Sequence, residues 1–392
     1  MSLIVLLASL ATLPLVLIDL VFLAELLFGL TPSRKRPIGP VPGKIALLVP
    51  AHNEATAIRA SVQAMRAAAP EGARILVVAH NCSDATAEEA LAGGAEVYRL
   101  DQPDKRGKGY ALAGGRDRLA LDPPDVVVAI DADCLPEPGA IATLAAEALQ
   151  TGRAIQGCYL FRSAPGDGPV VQVSNFAILV KNLLRQRGAA RLGGPALLTG
   201  SGMAFPWPLI ADRALATGNI VEDLALGVDL VRECHPPRFE ERAIIWSAPS
   251  TSAGTQTQRA RWEGGFLATA RQFGLPLIGK GLTDGGWPML WLGLNLITLP
   301  LTLLLIANAA AVLLWGVLVL LGAPAGLLAA MLLLAVAVVG AVLLAWAIAG
   351  RAMLSGAALV RMPLYFVWKL MLYTRILRGT EAPAWIRTTR VE

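Results

Sequence analysis

Apolar residues run almost unbroken over 3–30, 287–321 and 325–350, and between the first two runs they come in short bursts separated by polar stretches. The long runs have the length of membrane spans. The run 287–321 exceeds one straight span, so Pro300 is expected to kink it or its start to lie in the interface. Gly322-Ala323-Pro324 divides it from 325–350. The bursts read differently: IALLVP at 45–50, RILVVA at 74–79, AEVYRL at 95–100 and VVVAI at 126–130 alternate with helical patterns. Such βαβ alternation predicts an α/β fold with a mostly parallel central sheet, buried on both faces.

Each burst runs into a polar cluster: AHNE, HNCSDAT, DQPDKRGKG and DADC in turn. Ligands of open α/β sheets bind outside the carboxyl ends of the strands, so four such clusters describe one crevice. Asp131 and Asp133 flank a single alanine at a strand end, where two carboxylates can hold a divalent cation and share it with a diphosphate. Lys108, between Gly107 and Gly109, can approach anionic oxygens, and Asn53, Glu54 and Asp84 suit a ribose and a base edge. No GxGxxG fingerprint comes after a strand, which disfavours a dinucleotide site. Further on, Glu222 and Asp223 precede Leu224, Gly227, Val228 and Val231 at helical spacing. They are expected in a first turn, where the helix dipole favours an ionised carboxylate; a plain structural cap is the competing reading. In TQTQRARWEGG, Gln258, Arg261 and Trp262 share one helical face. That face suits an anionic, ring-bearing ligand, or else an interfacial anchor.

Composition and charge settle the setting. The chain has 392 residues, 55% of them hydrophobic, and a net charge of +5; its mean hydropathy is +0.56. This is an integral membrane composition with a soluble part. Basic residues cluster beside the apolar runs without interleaved aromatics, which points to a membrane surface and not to nucleic acid. Four cysteines lack CxxC spacing, which suggests a reducing compartment and no zinc site. Arg34-Lys35-Arg36 comes after the first apolar run and no basic n-region precedes it, unlike a signal peptide. The N-terminus is therefore expected outside and residue 31 onward in the cytoplasm. The excess of arginine after residue 350 returns the tail to the cytoplasm, consistent with two C-terminal spans. Asp19 and Glu25, on different faces, are expected near the cytoplasmic interface. The plan is a span at 1–30, a basic linker at 31–43, a cytoplasmic domain at 44–256, an interfacial helix region at 257–286, two spans at 287–350, and an amphipathic helix (362–378) with the tail in 351–392.

The motifs PAHNE (50–54), NCSDAT (81–86), RGKGYAL (106–112), DAD (131–133), GSGMAF (200–205), VED (221–223) and QRARW (258–262) occur in this order. On them the chain resembles family-2 glycosyltransferases of the GT-A fold. The likeness is to the membrane-attached branch with cellulose, chitin and hyaluronan synthases and ceramide glucosyltransferase. It implies a nucleotide-sugar donor, usually UDP-linked, a Mg²⁺ or Mn²⁺ ion, and inversion at the anomeric carbon. By position, Glu54 and Asp84 are implied donor-nucleoside contacts and Lys108 lies near the nucleotide. Asp133 is the implied principal metal carboxylate, Asp131 faces the diphosphate or donor sugar, and Asp223, beside Glu222, is the implied general base. Gln258 and Arg261 would stabilise the departing diphosphate, and Trp262 would face the acceptor. Gly200, Ser201 and Gly202 would let backbone approach the acceptor. Trp385, Arg387 and Arg390 in AWIRTTR resemble a tail segment that closes over the site. One departure is His80, where relatives often carry aspartate; the imidazole can bond a base edge but forfeits the carboxylate contact. The function expected is transfer of a sugar to a lipid-linked or membrane-associated acceptor in bacterial envelope or exopolysaccharide assembly. A processive polysaccharide synthase and an inactive scaffold are the alternatives.

Overall fold

The computed structural model describes residues 2–33, 41–163, 166–216, 221–247, 252–284, 286–361 and 369, with only the backbone for 2 and 252–260. The tail candidates Trp385, Arg387 and Arg390, the amphipathic helix at 362–378 and the run Arg34-Lys35-Arg36 lie outside the described residues, as does the side chain of Gln258. The chain forms two compact units. Of the described residues, one comprises those of 1–32, 163–194, 267–361 and 369, and the other those of 33–162 and 195–266.

The second unit is built on an eight-stranded sheet: β1 (Ile45–Ala51), β2 (Arg74–His80), β3 (Glu96–Leu100), β4 (Val126–Ala129), β5 (Cys134–Pro136), β6 (Ile155–Phe161), β7 (Met203–Pro206) and β8 (Arg238–Ser247). Their spatial order is β3-β2-β1-β4-β7-β6-β8-β5. The four strands expected from the apolar bursts are β1–β4, and they pair in parallel. Leu47, Leu48, Val49, Val77, Val78, Val126 and Val128 are wholly shielded, as strands covered on both faces must be. β7 then joins β4 antiparallel. Helix Lys108–Leu119 lies against this sheet, where a Cβ on Gly115 would meet Leu48 Cδ1 at 2.2 Å. The lack of a side chain there lets the helix sit close, and its first residue is Lys108.

The first unit is helical. Among the described residues, three helices are long and apolar enough to cross a membrane: Leu3–Gly29, Leu301–Leu320 and Ala325–Gly350. The long run at 287–321 is broken, not kinked: helix Trp287–Ile297 ends before Pro300, which stands extended at the start of Leu301–Leu320. A further helical run, Pro169–Leu179, Val180–Arg185 (a π-turn) and Gln186–Arg191, had no expectation from sequence. It touches the N-terminal helix backbone to backbone. A Cβ on Gly188 would lie 1.7 Å from the Glu25 carbonyl oxygen, and one on Gly29 would lie 1.8 Å from that of Leu184. Small residues permit such contact between apolar helices.

Asp19 and Glu25 are both wholly buried within the protein. Glu25 Oε2 accepts from Arg185 Nε at 2.7 Å, and Oε1 accepts from Trp291 Nε1 at 3.1 Å and Asn295 Nδ2 at 2.6 Å. Asp19 Oδ1 accepts from Asn308 Nδ2 at 2.9 Å. Burial without these partners would be prohibitive. Arg187 donates to the Gly29 carbonyl at 2.8 Å, and Arg191 to those of Phe28 and Thr31 at 2.5 and 2.6 Å. Two guanidinium groups thus satisfy carbonyls that the helix end leaves open.

Candidate active site

The carboxyl ends of β1, β2 and β3 are stitched together by their own polar side chains. Asn81, with a positive φ of 51°, accepts from Gln102 N at 2.6 Å and donates to Gln102 O at 2.9 Å. Asn53, also at positive φ (55°), accepts from Ser83 N at 2.7 Å. Asparagine tolerates this left-handed conformation better than most residues. Asp84 accepts from Ala55 N at 3.1 Å and Thr86 N at 3.0 Å, and Thr86 in turn accepts from Glu54 N at 2.7 Å. Asn53 and Asp84 therefore hold the two loops in register, with Glu54 half-exposed between them. His80 is only 4% exposed, and its backbone carbonyl bonds His52 Nδ1 at 2.8 Å. Burial, aided by His52, lowers its pKa, so the imidazole is neutral at pH 7.

Beside this platform the ionisable groups converge. Lys108 Nζ pairs with Asp131 Oδ1 at 2.5 Å and donates to the Gly200 carbonyl at 2.5 Å. Burial alone would depress the ammonium, but the charges of Asp131, Glu222 and Asp223 outweigh it and raise its pKa. Gly200 sits at φ +89°, and a Cβ there would lie 3.2 Å from Asp223 Oδ2 and 3.3 Å from Lys108 Nζ. Glu222 and Asp223 open helix Glu222–Arg232, at the positive end of its dipole. Burial first, and Asp223 second, push the Glu222 carboxyl up to about 7. A hollow of about 450 Å³ opens beside this pair, walled by Leu112, Met203 and Leu226 among others.

Asp131, Asp133 and Cys134 bring one ligand atom each within 4.8 Å of one another. The two carboxylates are the hard oxygen donors that Mg²⁺ or Mn²⁺ takes, so the donor set fits such an ion. Ser201 and Gly202 lie directly behind them. Ser201 Oγ accepts from Asp131 N at 3.1 Å, and Gly202 N donates to the Ala129 carbonyl at 3.0 Å. Gln156, wholly buried in β6, donates to the Ser201 carbonyl at 2.9 Å and accepts from Thr199 N at 2.9 Å. Sequence reasoning passed over Gln156 and Asn81. The signals were there: a polar residue inside an apolar strand demands a partner, and an asparagine after a strand end suits a positive φ.

QRARW is helical, within Ser252–Thr283. A Cβ on Gly265 of this helix would meet Val221 Cγ1 at 2.7 Å, so the helix crosses close to the start of Glu222–Arg232. Arg261 is desolvated, which lowers its pKa, while the charges of Glu222 and Asp131 act the other way. Trp262 meets Phe161, at the end of β6, edge-on with centroids 5.6 Å apart. Phe161 is a further residue that sequence reasoning did not single out.

Among solved structures, the chain resembles the mannosyltransferase PcManGT from Pyrobaculum calidifontis in complex with GDP-Man and Mn²⁺. The TM-score is 0.52 at 16% identity, over 86% of this chain and 98% of that one. Glucosyl-3-phosphoglycerate synthase from Mycobacterium tuberculosis, in complex with Mn²⁺, UDP and phosphoglyceric acid, matches at TM-score 0.42 and 20% identity, over 60% and 84% of the two chains. No curated protein matches in sequence. The first likeness bears out the α/β GT-A architecture. Residues 42–265, more than half of the chain, match the model of the glycosyltransferase-like family 2, and to that family the chain belongs.

Proposed function

We propose that this glycosyltransferase is a metal-dependent, inverting enzyme that moves one sugar from a nucleotide donor, UDP-linked, to a lipid-linked or membrane-associated acceptor. One observation carries the reading: Lys108 joins Asp131 to Gly200, whose Cα faces the Asp223 carboxylate. A diphosphate-side acid and an acceptor-side acid thus flank one point. Asp133 and Asp131 would hold Mg²⁺ or Mn²⁺, which neutralises charge on the diphosphate when bound; the PcManGT complex is a precedent on the same fold. Glu54 and Asp84 border the nucleoside, and Lys108 meets the phosphates. Asp223 takes the proton of the acceptor hydroxyl as its oxygen bonds to the anomeric carbon. The bond from that carbon to the diphosphate oxygen breaks on the opposite face, so configuration inverts. Arg261 and Gln258 stabilise the departing diphosphate, and Trp262 borders the acceptor.

The polar groups of the apolar helices favour single addition over a processive synthase. Asn295 and Asn308 are spent on Glu25 and Asp19, which leaves little polar lining for a polymer among the described residues. Three spanning-length helices among the described residues and the basic flanks support a bacterial inner-membrane protein with its N-terminus outside and residues 44–256 in the cytoplasm. Envelope or exopolysaccharide assembly is the setting that fits. The test is release of UDP from UDP-sugars given membrane lipid extract. EDTA should abolish it and Mn²⁺ restore it, and Asp223→Asn should lower turnover by roughly two or more decades with nucleotide binding kept. Full turnover in EDTA would sink the metal assignment, and an active Asp223→Asn would remove the base.

A further inference from the structure

Behind the acidic motif runs a string of hydrogen bonds with a fixed direction. The Asp131 N–H donates to Ser201 Oγ at 3.1 Å, the Ser201 hydroxyl donates to Cys134 Sγ at 3.3 Å, and the Cys134 thiol donates to Asp133 Oδ1 at 3.5 Å. Ser201 and Cys134 are wholly buried, and Asp133 is 7% exposed. A hydroxyl and a thiol each have one proton to give. The ionised Asp133 carboxylate can only accept, so the thiol gives it its one proton, and the sulfur then accepts the proton of the Ser201 hydroxyl. The start of the string is itself clamped, because Gln156 Nε2 holds the Ser201 carbonyl at 2.9 Å. As a residue in the sequence Cys134 has no visible part beyond filling space, yet it joins the glycine turn at 200–202 to the acid proposed to hold the metal.

We propose that Cys134 is a positioning residue: its thiol fixes the plane of the Asp133 carboxylate, so that Ser201 and Cys134 together set the affinity of the site for a divalent cation. The sulfur is not itself a ligand. A soft donor matches Mg²⁺ or Mn²⁺ poorly, and the S–H points at the carboxylate that would do the binding. Partners that orient metal ligands are commonly worth about 10–100-fold in affinity. A sulfur hydrogen bond is weak, so the low end, about tenfold, is expected here.

This inference rests on the assignment of Asp133 to the metal, and the experiment separates the two. Mn²⁺ alone is titrated into the purified full chain, and free Mn²⁺ is read by electron paramagnetic resonance. Cys134→Ala should weaken Mn²⁺ binding about tenfold. Ser201→Ala should weaken it by less, because the thiol still reaches Asp133. The double variant should be no weaker than Cys134→Ala, because the contact with Asp133 is already lost. Cys134→Ser, which can accept from Ser201 and donate to Asp133, should stay within about twofold of the native protein. Wild-type affinity in Cys134→Ala overturns the proposal, as does Cys134→Ser binding as weakly as Cys134→Ala. An ultraviolet thiolate-to-metal band that Cd²⁺ raises in the native protein and not in Cys134→Ala would also overturn it, by making that sulfur a ligand. Asp133→Ala is the control: unchanged Mn²⁺ affinity there would refute the metal assignment itself, whereas lost affinity there with an unaffected Cys134→Ala would refute the string alone.

Discussion

Gly200→Ala tests whether the approach of Asp223, Lys108 and the glycine turn matters to turnover. The residue stands at φ +89°, where a Cβ meets its own backbone, and holding a non-glycine residue in such a region costs about 1–3 kcal/mol. The added methyl would also lie 3.2 Å from Asp223 Oδ2 and 3.3 Å from Lys108 Nζ. Both are side-chain ends that can yield by a few tenths of an ångström, so the protein should still fold. For a domain of this size, the strain lowers the melting temperature by roughly 2–4 °C per kcal/mol. Turnover should suffer more than stability, because a displacement of about 1 Å at a reacting group can cost about a hundredfold. A shift of a few tenths then predicts a loss of roughly three- to sixfold. Gly202→Ala is the comparison: at φ +69° its Cβ would press on Ile245 Cγ1 at 2.7 Å, away from Asp223. It should cost at least as much stability and lose less turnover per degree of melting. The assay is UDP release beside thermal unfolding for both variants. Wild-type turnover in Gly200→Ala would refute the placement of Asp223 at the reacting centre.

The Glu222 carboxyl, pushed from 4.5 to about 7, keeps a proton in the folded protein that the unfolded chain has lost, so stability falls as pH rises through that window. Glu222→Gln should therefore melt higher than the native protein at about pH 8 and equally at about pH 4; an equal difference at both would contradict the burial argument. Glu25→Ala leaves the buried Arg185 guanidinium without its carboxylate, at about 3–5 kcal/mol. Thermal unfolding in detergent should show a large loss, partly recovered by adding Arg185→Met, and a neutral Glu25→Ala would show that the pair does not hold the helices together. For topology, cysteine labels near residue 2 and around 323 should react from outside and labels at 36 and 380 should not; outside labelling at 380 would reverse the proposed C-terminal orientation.

The strands β1, β2 and β4 were legible because parallel strands covered on both faces must be apolar along their length, as Leu47–Val49 and Val126–Val128 are; the edge strand β3, half-exposed along EVYRL, was read from the βαβ alternation around it. β8 was not: its burial alternates, and its charged start, RFEER, hides a strand pattern. β5 and β7 are three and four residues long, too short to show a period. Helix Pro169–Arg191 escaped because Asn175, Asn182 and Arg185 interrupt its apolar face, although all three are buried. The partners of Asp19 and Glu25 could not be read, because they lie 160 to 289 residues away and distant pairing leaves no local mark. The first-turn position of Asp223 was readable from helical spacing alone. The loop-holding roles of Asn53 and Asp84 were not, since each depends on a loop from another strand.

Whether this enzyme adds a single sugar to an acceptor held in the bilayer is read from the mass of its product. Purified protein, Mn²⁺ and an excess of each UDP-sugar in a panel are incubated with membrane lipid extract, and the lipids are weighed by mass spectrometry. Single addition yields one lipid species heavier by one sugar residue, absent with Asp223→Asn or EDTA. A ladder of products extending to polymer, made by this chain alone, would contradict it.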